Sequence, residues 1–296
     1  MHIDRLCIVG VGLIGGSLAR AARRAGVCGE IVGAGRHAGR LRRAFELGVI
    51  DAYDTDVAAA AHGADMIVVA VPLGATEAVL EALRASLAPE AVVTDVGSAK
   101  TAVVEAARRA FGAASARFVP GHPIAGTECS GVEASFAELF DGARVILTPS
   151  ADTAPEAIER VQALWQTAGA RVERMDAAHH DEVLAATSHL PHLLAFALVD
   201  SLSRREEHDE IFRYAAGGFR DFTRIASSDP VMWRDICLAN REAVLAALGG
   251  FEADLQAVTR AVEAGDGPAL EALFRRAKAA RDRYLDETGE GSDGEP

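Results

Sequence analysis

The chain has 296 residues, 50% hydrophobic and 25% charged, with 43 acidic against 30 basic side chains and a formal net charge of −13. That length allows two ordinary domains, and that balance excludes wholesale disorder. An acidic chain with no basic run, and no apolar run near the ~18 residues of a membrane span, is expected to meet neither nucleic acid nor membrane. The opening Met1-His2-Ile3-Asp4-Arg5 lacks the basic start of a secretory leader, so a cytoplasmic location is expected. Cys7, Cys28, Cys129 and Cys237 are scattered without a CxxC and read as reduced thiols.

In chain order, the first half alternates strands and helices. Arg5–Val9 is a short apolar run, glycines follow, and Leu13–Ala25 has a helical pattern. Glu30–Gly35 reads as a second strand. Met66–Val71 is continuously apolar, as a parallel strand covered on both faces should be, and Ala91–Val96 reads as another. Arg117–Pro120 and Arg144–Thr148 follow. Thr153 stands where it can cap a helix with Pro155 in its first turn, and Gly169 where it can end it. Ala170–Met175 is the last strand. The alternation predicts a doubly wound α/β domain over about 1–175.

After Asp176 the period is helical to about Leu285. Pro191 interrupts one helix, Asp229-Pro230 turns into another, Asn240–Gln256 is amphipathic, and Ala269–Leu285 is charged. An all-helical domain is expected over 176–286, and the tail 287–296, which has no apolar residue, is expected to be disordered.

Gly10-Val11-Gly12-Leu13-Ile14-Gly15 is a GxGxxG between a strand and a helix. The first glycine permits the tight turn, the second lets backbone approach a pyrophosphate, and the third lets the helix pack on the strand. The phosphates would sit at the positive helix N-terminus. A Rossmann-like dinucleotide site is therefore expected. NAD sites put an acid at the end of the second strand to hold the ribose 2′-hydroxyl. This chain has Gly35 there, followed by Arg36. Without the carboxylate, and with a guanidinium able to pair with a 2′-phosphate, NADP is the expected preference, with NAD possible.

Three segments fall at or near the carboxyl edge of the expected sheet or early in the helical part. Asp95-Val96-Gly97-Ser98-Ala99-Lys100 joins a strand to a helix. Gly121-His122-Pro123-Ile124-Ala125-Gly126-Thr127-Glu128 reads as a loop carrying one histidine. Ser188-His189-Leu190-Pro191-His192 sets two histidines on one side of a proline-kinked helix. The helical part adds Phe219-Arg220-Asp221-Phe222-Thr223-Arg224 and Asp229-Pro230-Val231-Met232-Trp233-Arg234-Asp235.

In this combination and order, these segments resemble the prephenate/arogenate (cyclohexadienyl) dehydrogenase family of tyrosine biosynthesis, from Gly10 to about Phe251. The missing acid at Gly35 departs from the NAD-using members. The resemblance implies oxidative decarboxylation of a cyclohexadienol, a homodimer through the helical domain, and an active site in the interdomain cleft. It makes His122 the catalytic base and Ser98 its partner, bridging substrate and nicotinamide. It makes Arg224 the substrate clamp, sets His189 and His192 along the pocket, and lets Thr127 bond the substrate side chain. Glu128 and Asp221 would gate the entrance, Trp233 would be core, and His179 and His180 receive no role. No metal is expected, since the HxxH lacks a partner ligand. The substrate is prephenate or arogenate. The rivals are a β-hydroxyacid dehydrogenase, which would need a second-domain lysine where this chain has only Lys278, and a nucleotide sensor without chemistry.

Overall fold

The computed structural model describes residues 2–127 and 129–288. Six parallel strands form the main sheet: β1 (Ile3–Val9), β2 (Cys28–Ala34), β3 (Ala52–Asp54), β4 (Met66–Val69), β5 (Val92–Asp95) and β6 (Phe118–Val119). Their order is β3-β2-β1-β4-β5-β6. The crossovers are α1 (Leu13–Arg24), α2 (Ala38–Glu46), α3 (Val57–Ala61), α4 (Leu73–Leu83) and α5 (Thr101–Phe111). This is the doubly wound domain that the alternation predicts.

Strand residues alternate between two apolar layers because side chains alternate along a strand. Ile8, Met66 and Val68 join Leu18 and Trp165 in one layer. Cys7, Val9, Ile67 and Val69 join Leu80, Phe111 and Phe118 in the other. The winding reverses between β1 and β4, and the crevice beyond the carboxyl ends of such strands is where this kind of sheet receives a ligand.

A second sheet was not expected. It consists of β7 (Gly121–Ile124), β8 (Arg144–Leu147) and β9 (Arg171–Arg174), with β7 antiparallel and β9 parallel to β8. The segment read as a loop around His122 is therefore a strand, with His122 opposite Ile146. Its Pro123 is tolerated because β7 is an edge strand of this sheet. Helix α6 (Pro155–Thr167) starts with Pro155 in its first turn, but Ala154 is its N-cap. Thr153 instead takes the Ser150 N–H on its hydroxyl at 2.9 Å. Gly169, at φ +94°, follows the end of the helix as expected.

Helix α7 (Ala177–Leu184) begins where the helical period does, with Asp176 accepting the N–H groups of Ala178 and His179. It runs through a π-turn at Ala185–His189 into α8 (Leu190–Ser203). Pro191 has no N–H to return to the preceding turn, and a local widening accommodates that loss. The whole stretch Ala177–Ser203 is long and apolar enough to cross a membrane by length and composition. It nevertheless buries His180, Asp181 and His189. After it come α9 (His208–Arg213), α10 (Gly217–Thr223), a 3-10 turn (Arg224–Ser227) and α11 (Pro230–Ala239), whose cap Asp229 accepts the Met232 N–H. Then follow α12 (Arg241–Glu263) and α13 (Gly267–Thr288).

Compactness divides the chain after Val244 rather than at the change of pattern at Asp176. Helices α7 and α11 pack on α5 and α4. The second unit contains most of α12 and all of α13, joined through Gly265 at φ +64°. It exposes Leu255, Val262 and Phe274. The expected disordered tail lies outside the described residues from 289 onward.

Two glycines fix the first βα turn. Gly10 has φ +99°, and a Cβ there would lie 2.2 Å from the Ala70 carbonyl oxygen. A Cβ on Gly15 would lie 2.2 Å from the Gly10 carbonyl oxygen. Gly12 has open space around its Cβ position. Gly15→Ala is therefore expected to destabilise by about 1–3 kcal/mol through overpacking. Gly12→Ala should stay within about 0.5 kcal/mol, the range of surface changes. Thermal denaturation of the two variants checks the contrast; equal melting temperatures would contradict it.

Candidate active site

The open side of Gly12 lies at the N-terminus of α1, where no side chain caps the helix and no acid occupies the first turn. Unclaimed N–H groups and the helix dipole make this a seat for an anion. The fit to a dinucleotide pyrophosphate rests on these features. At the end of β2, Gly35 meets only Leu41, at 3.8 Å from a built Cβ, and Arg36 is exposed.

At the end of β5, Asp95 and Lys100 form a buried ion pair, with Lys100 Nζ 2.5 Å from Asp95 Oδ2. Lys100 Nζ also donates to the Gly121 carbonyl at 2.8 Å. The Asp95 carboxylate accepts the N–H groups of Gly97 at 2.8 Å and Gly121 at 3.1 Å. Helix α5 has no side-chain cap from its own flank, so Ser98 does not cap it. Asp181 of α7 does that work from a distance in sequence, accepting the Lys100 N–H at 2.7 Å and the Thr101 N–H at 2.9 Å.

Asp181 also begins a chain of rings. Its Oδ1 is 2.9 Å from His180 Nδ1, and His180 Nε2 is 2.9 Å from His122 Nδ1. A carboxylate only accepts, so His180 carries its proton on Nδ1. With both imidazoles neutral, His180 Nε2 then accepts from His122 Nδ1–H. His122 is left with a lone pair on Nε2, the form a proton acceptor needs. Burial, then the Lys100 charge, then His180 and His189 hold its titration well below the ordinary value, against an opposing pull from Asp181. Burial pushes the Asp181 carboxyl up, but hydrogen bonds from His180, Lys100 and Thr101 outweigh it and leave the group below its usual value.

The two histidines of the SHLPH segment are set in opposite tautomers. The Asn240 amide nitrogen donates to the Asp181 carbonyl at 2.7 Å and lies 3.2 Å from His189 Nδ1. His189 Nδ1 is therefore an acceptor and Nε2 carries the proton. His189 is buried, and its titration is lowered to about 4, chiefly by burial. His192 points Nδ1 at the Ser188 carbonyl, 2.8 Å away, which leaves its Nε2 as the acceptor. Its ring stacks on Trp233 at 3.7 Å between centroids. Trp233 is buried, as expected of a core residue, yet it also forms the wall behind His192. Burial first, and the nearby Arg224 charge, lower His192 as well, while its bond to Ser188 opposes them.

Of the other expected site residues, Ser98 is half-buried in the β5–α5 turn, Arg224 is exposed at the start of the 3-10 turn, and Asp221 is exposed on α10. Thr127 is exposed and accepts the Cys129 N–H at 3.2 Å. Glu128 lies outside the described residues. The reading without a role for His180 is corrected: it touches His122 directly, whereas His179 is exposed beside Glu182. Sequence reasoning also passed over Asp181, Asn240 and a structural role for Lys100. The signals were a His-Asp pair within the first helix after the strands, and a chain with two lysines that places one in a strand-to-helix turn.

A ligand crevice at a winding reversal, a glycine turn on a helix N-terminus and a buried imidazole poised as acceptor define a dinucleotide-dependent dehydrogenase. The chain belongs to the prephenate dehydrogenase family: the family model for the nucleotide-binding domain matches residues 18–174, and that for the dimerization domain matches residues 176–276. It is 39% identical over 280 residues to a cyclohexadienyl dehydrogenase of Zymomonas mobilis, covering 93% of this chain and 94% of that protein. It is 37% identical over 281 residues to a prephenate dehydrogenase of Bacillus subtilis, covering 94% of this chain and 76% of that protein. Among solved structures, it resembles Aquifex aeolicus prephenate dehydrogenase in complex with hydroxyphenyl propionate and NAD+, with a TM-score of 0.90, 39% identity and coverage of 96% and 99% of the two chains.

Two buried imidazoles and a half-buried one also lower the stability of the fold in acid. His122, His189 and His192 titrate lower folded than unfolded, so the unfolded chain takes up protons that the native one refuses. Their contribution is complete above the unfolded value of about 6.5 and is lost as pH falls toward 4. The melting temperature should be level above pH 7 and drop between pH 6.5 and about 4. A level profile down to pH 4.5 would contradict neutral rings shielded from protonation.

Proposed function

We propose that this chain is an NADP-preferring prephenate dehydrogenase. It carries out oxidative decarboxylation of prephenate to 4-hydroxyphenylpyruvate in tyrosine biosynthesis. The observation that carries the reading is the Asp181–His180–His122 chain at the carboxyl edge of the sheet. When bound, the nicotinamide accepts the hydride from the ring carbinol carbon. Gly10, Gly12, Leu13, Ile14 and Gly15 would hold the pyrophosphate, Arg36 would pair with a 2′-phosphate, and Ser98 would contact nicotinamide and substrate.

His122 Nε2 takes the carbinol proton. The resulting imidazolium donates through Nδ1 to His180, and the charge is offset by Asp181 two rings away. Arg224 holds a substrate carboxylate; an always-charged planar fork is suited to this in an acidic chain. His189 offers a donor and His192 an acceptor, and Thr127 bonds the substrate side chain. Carbon dioxide leaves, its bonding pair makes the ring aromatic, and the imidazolium returns its proton to the phenolate oxygen, so the chain must mainly supply orientation and charge placement.

In this reading, residues 1–175 bind dinucleotide and 176–286 bind substrate and dimerise. The supporting observations are the boundary between the two family models and the exposed apolar side chains of Leu198 and Leu238. The buried polar groups of Ala177–Ser203 favour a cytoplasmic enzyme over a membrane-spanning one. Arogenate is the second substrate reading. It is favoured by the cyclohexadienyl dehydrogenase relative and by a Synechocystis arogenate dehydrogenase structure, at TM-score 0.80 and 30% identity over 95% of this chain and 99% of that one.

Steady-state kinetics with prephenate test the roles. His122→Ala should lower kcat by about 10²–10⁴-fold, the range of a general base, with unchanged dinucleotide affinity. Arg224→Ala should act mainly on KM, as loss of a uniform binding contact does. A His122→Ala enzyme with near-normal kcat would overturn the assignment.

The cofactor reading has its own test. Gly35 has no positive φ and space for a side chain, so Gly35→Asp with Arg36→Gln should fold normally. The pair should shift kcat/KM from NADP toward NAD by roughly ten- to a hundredfold, the worth of hydrogen bonds to a charged group. An unmodified enzyme that already prefers NAD would contradict the reading.

A further inference from the structure

Lys100 is the only lysine before Lys278 in a chain that uses arginine at its other basic positions. It is fully buried, though a buried lysine is costly unless paired. Its contacts converge on one residue, Gly121, gripping the peptide groups on either side of it. Lys100 Nζ holds the Gly121 carbonyl at 2.8 Å, while its ion-pair partner Asp95 holds the Gly121 N–H at 3.1 Å. Gly121 immediately precedes His122. A built Cβ on Gly121 would come within 3.0 Å of the Asp95 carbonyl oxygen, so the peptide is seated tightly. The backbone of Lys100 reaches His122 by a second route. Its N–H anchors Asp181, which orients His180, which bonds His122.

We propose that Lys100, with Asp95, is a positioning residue for His122: it clamps Gly121, the residue before the imidazole, and sets an ion-paired ammonium near the ring. This rests on the reading of His122 as the proton acceptor. A cation beside an imidazole disfavours its protonation, so the ring stays in the accepting form at lower pH. The groups around it are Asp95 from the end of β5, Lys100 from the start of α5, His180 and Asp181 from α7, and His189 from the π-turn. The charged or titrating ones that shift it are Lys100, His180, His189 and Asp181. Arginine would not replace the lysine, because its planar fork is larger than a compact ammonium and presents donors in a different geometry.

The test uses the full-length enzyme with prephenate and NADP, and reads kcat/KM against pH. Lys100→Met should lower kcat by about 10- to 100-fold, the cost of a misplaced reacting group, with dinucleotide KM unchanged. The acidic limb of its profile should move to higher pH. Lys100→Met alone leaves Asp95 as an unpaired buried charge and can fail to fold. The double variant Asp95→Asn/Lys100→Met removes both charges and keeps one amide oxygen as acceptor for the Gly121 N–H, at the loss of the acceptor that Oδ2 gives the Gly97 N–H. Its acidic limb should move upward as well, and Lys100→Arg should not restore kcat. A folded double variant whose limb stays in place overturns the proposal and leaves only a structural lysine. If His122→Ala retains kcat, the underlying reading fails instead, whatever Lys100 does.

Discussion

The carboxylate of Asp181 holds the site together. It lies on the first N–H groups of α5, at 2.7 and 2.9 Å, and so ties the first helix after the strands to the carboxyl edge of the main sheet. The same group fixes the proton on His180, and its own backbone carbonyl takes the Asn240 amide that fixes the proton on His189. Helix dipole, tautomer and tertiary docking therefore depend on one buried anion. A charge at a helix N-terminus gains from the dipole, and hydrogen bonds to it are among the stronger ones in a protein. Without it, the first α5 N–H groups and His180 Nδ1 would be buried without their acceptor.

Most of the buried polar groups around this anion are paired in a network, whereas His189 Nε2 has no hydrogen-bond partner among the described residues. Asp95, Lys100 and Gly121 form one closed set. Asp181, His180 and His122 form another. Such networks are costly when half satisfied and specific when complete. The apolar layers on both faces of the sheet supply the bulk of burial, while these few polar contacts decide where the reacting nitrogen points.

What was legible in the sequence was local. The continuous apolar strands, the GxGxxG turn and the change of period at Asp176 depend on neighbours in the chain, and each appears where the pattern put it. The family resemblance supplied His122, which does lie at the carboxyl edge of the α/β region. The parts that escaped depend on residues far apart. His122 and His180 are 58 positions apart, and Lys100 and Asp181 are 81 apart. No periodicity records such a contact. The second sheet escaped for a related reason: Gly121-His122-Pro123 has turn-like composition, and only pairing with Val145 and Ile146 makes it a strand. Thr153 was misread because a threonine before a proline can serve either a helix or the loop preceding it, and here it closes the loop on Ser150.

The π-turn at Ala185–His189 has a geometric consequence for how the chain tolerates change. A π-turn is in effect one residue more than an α-helix needs, and each residue of an α-helix turns the next by about 100°. The faces of α7 and α8 are therefore out of phase by that amount. His180 and Asp181 precede the offset, and His192 follows it. Deleting a single residue between Ala185 and His189 would yield a more regular helix. It would also swing His192 away from Trp233 while leaving His180 on His122, splitting the histidine cluster into two halves that no longer face the same space.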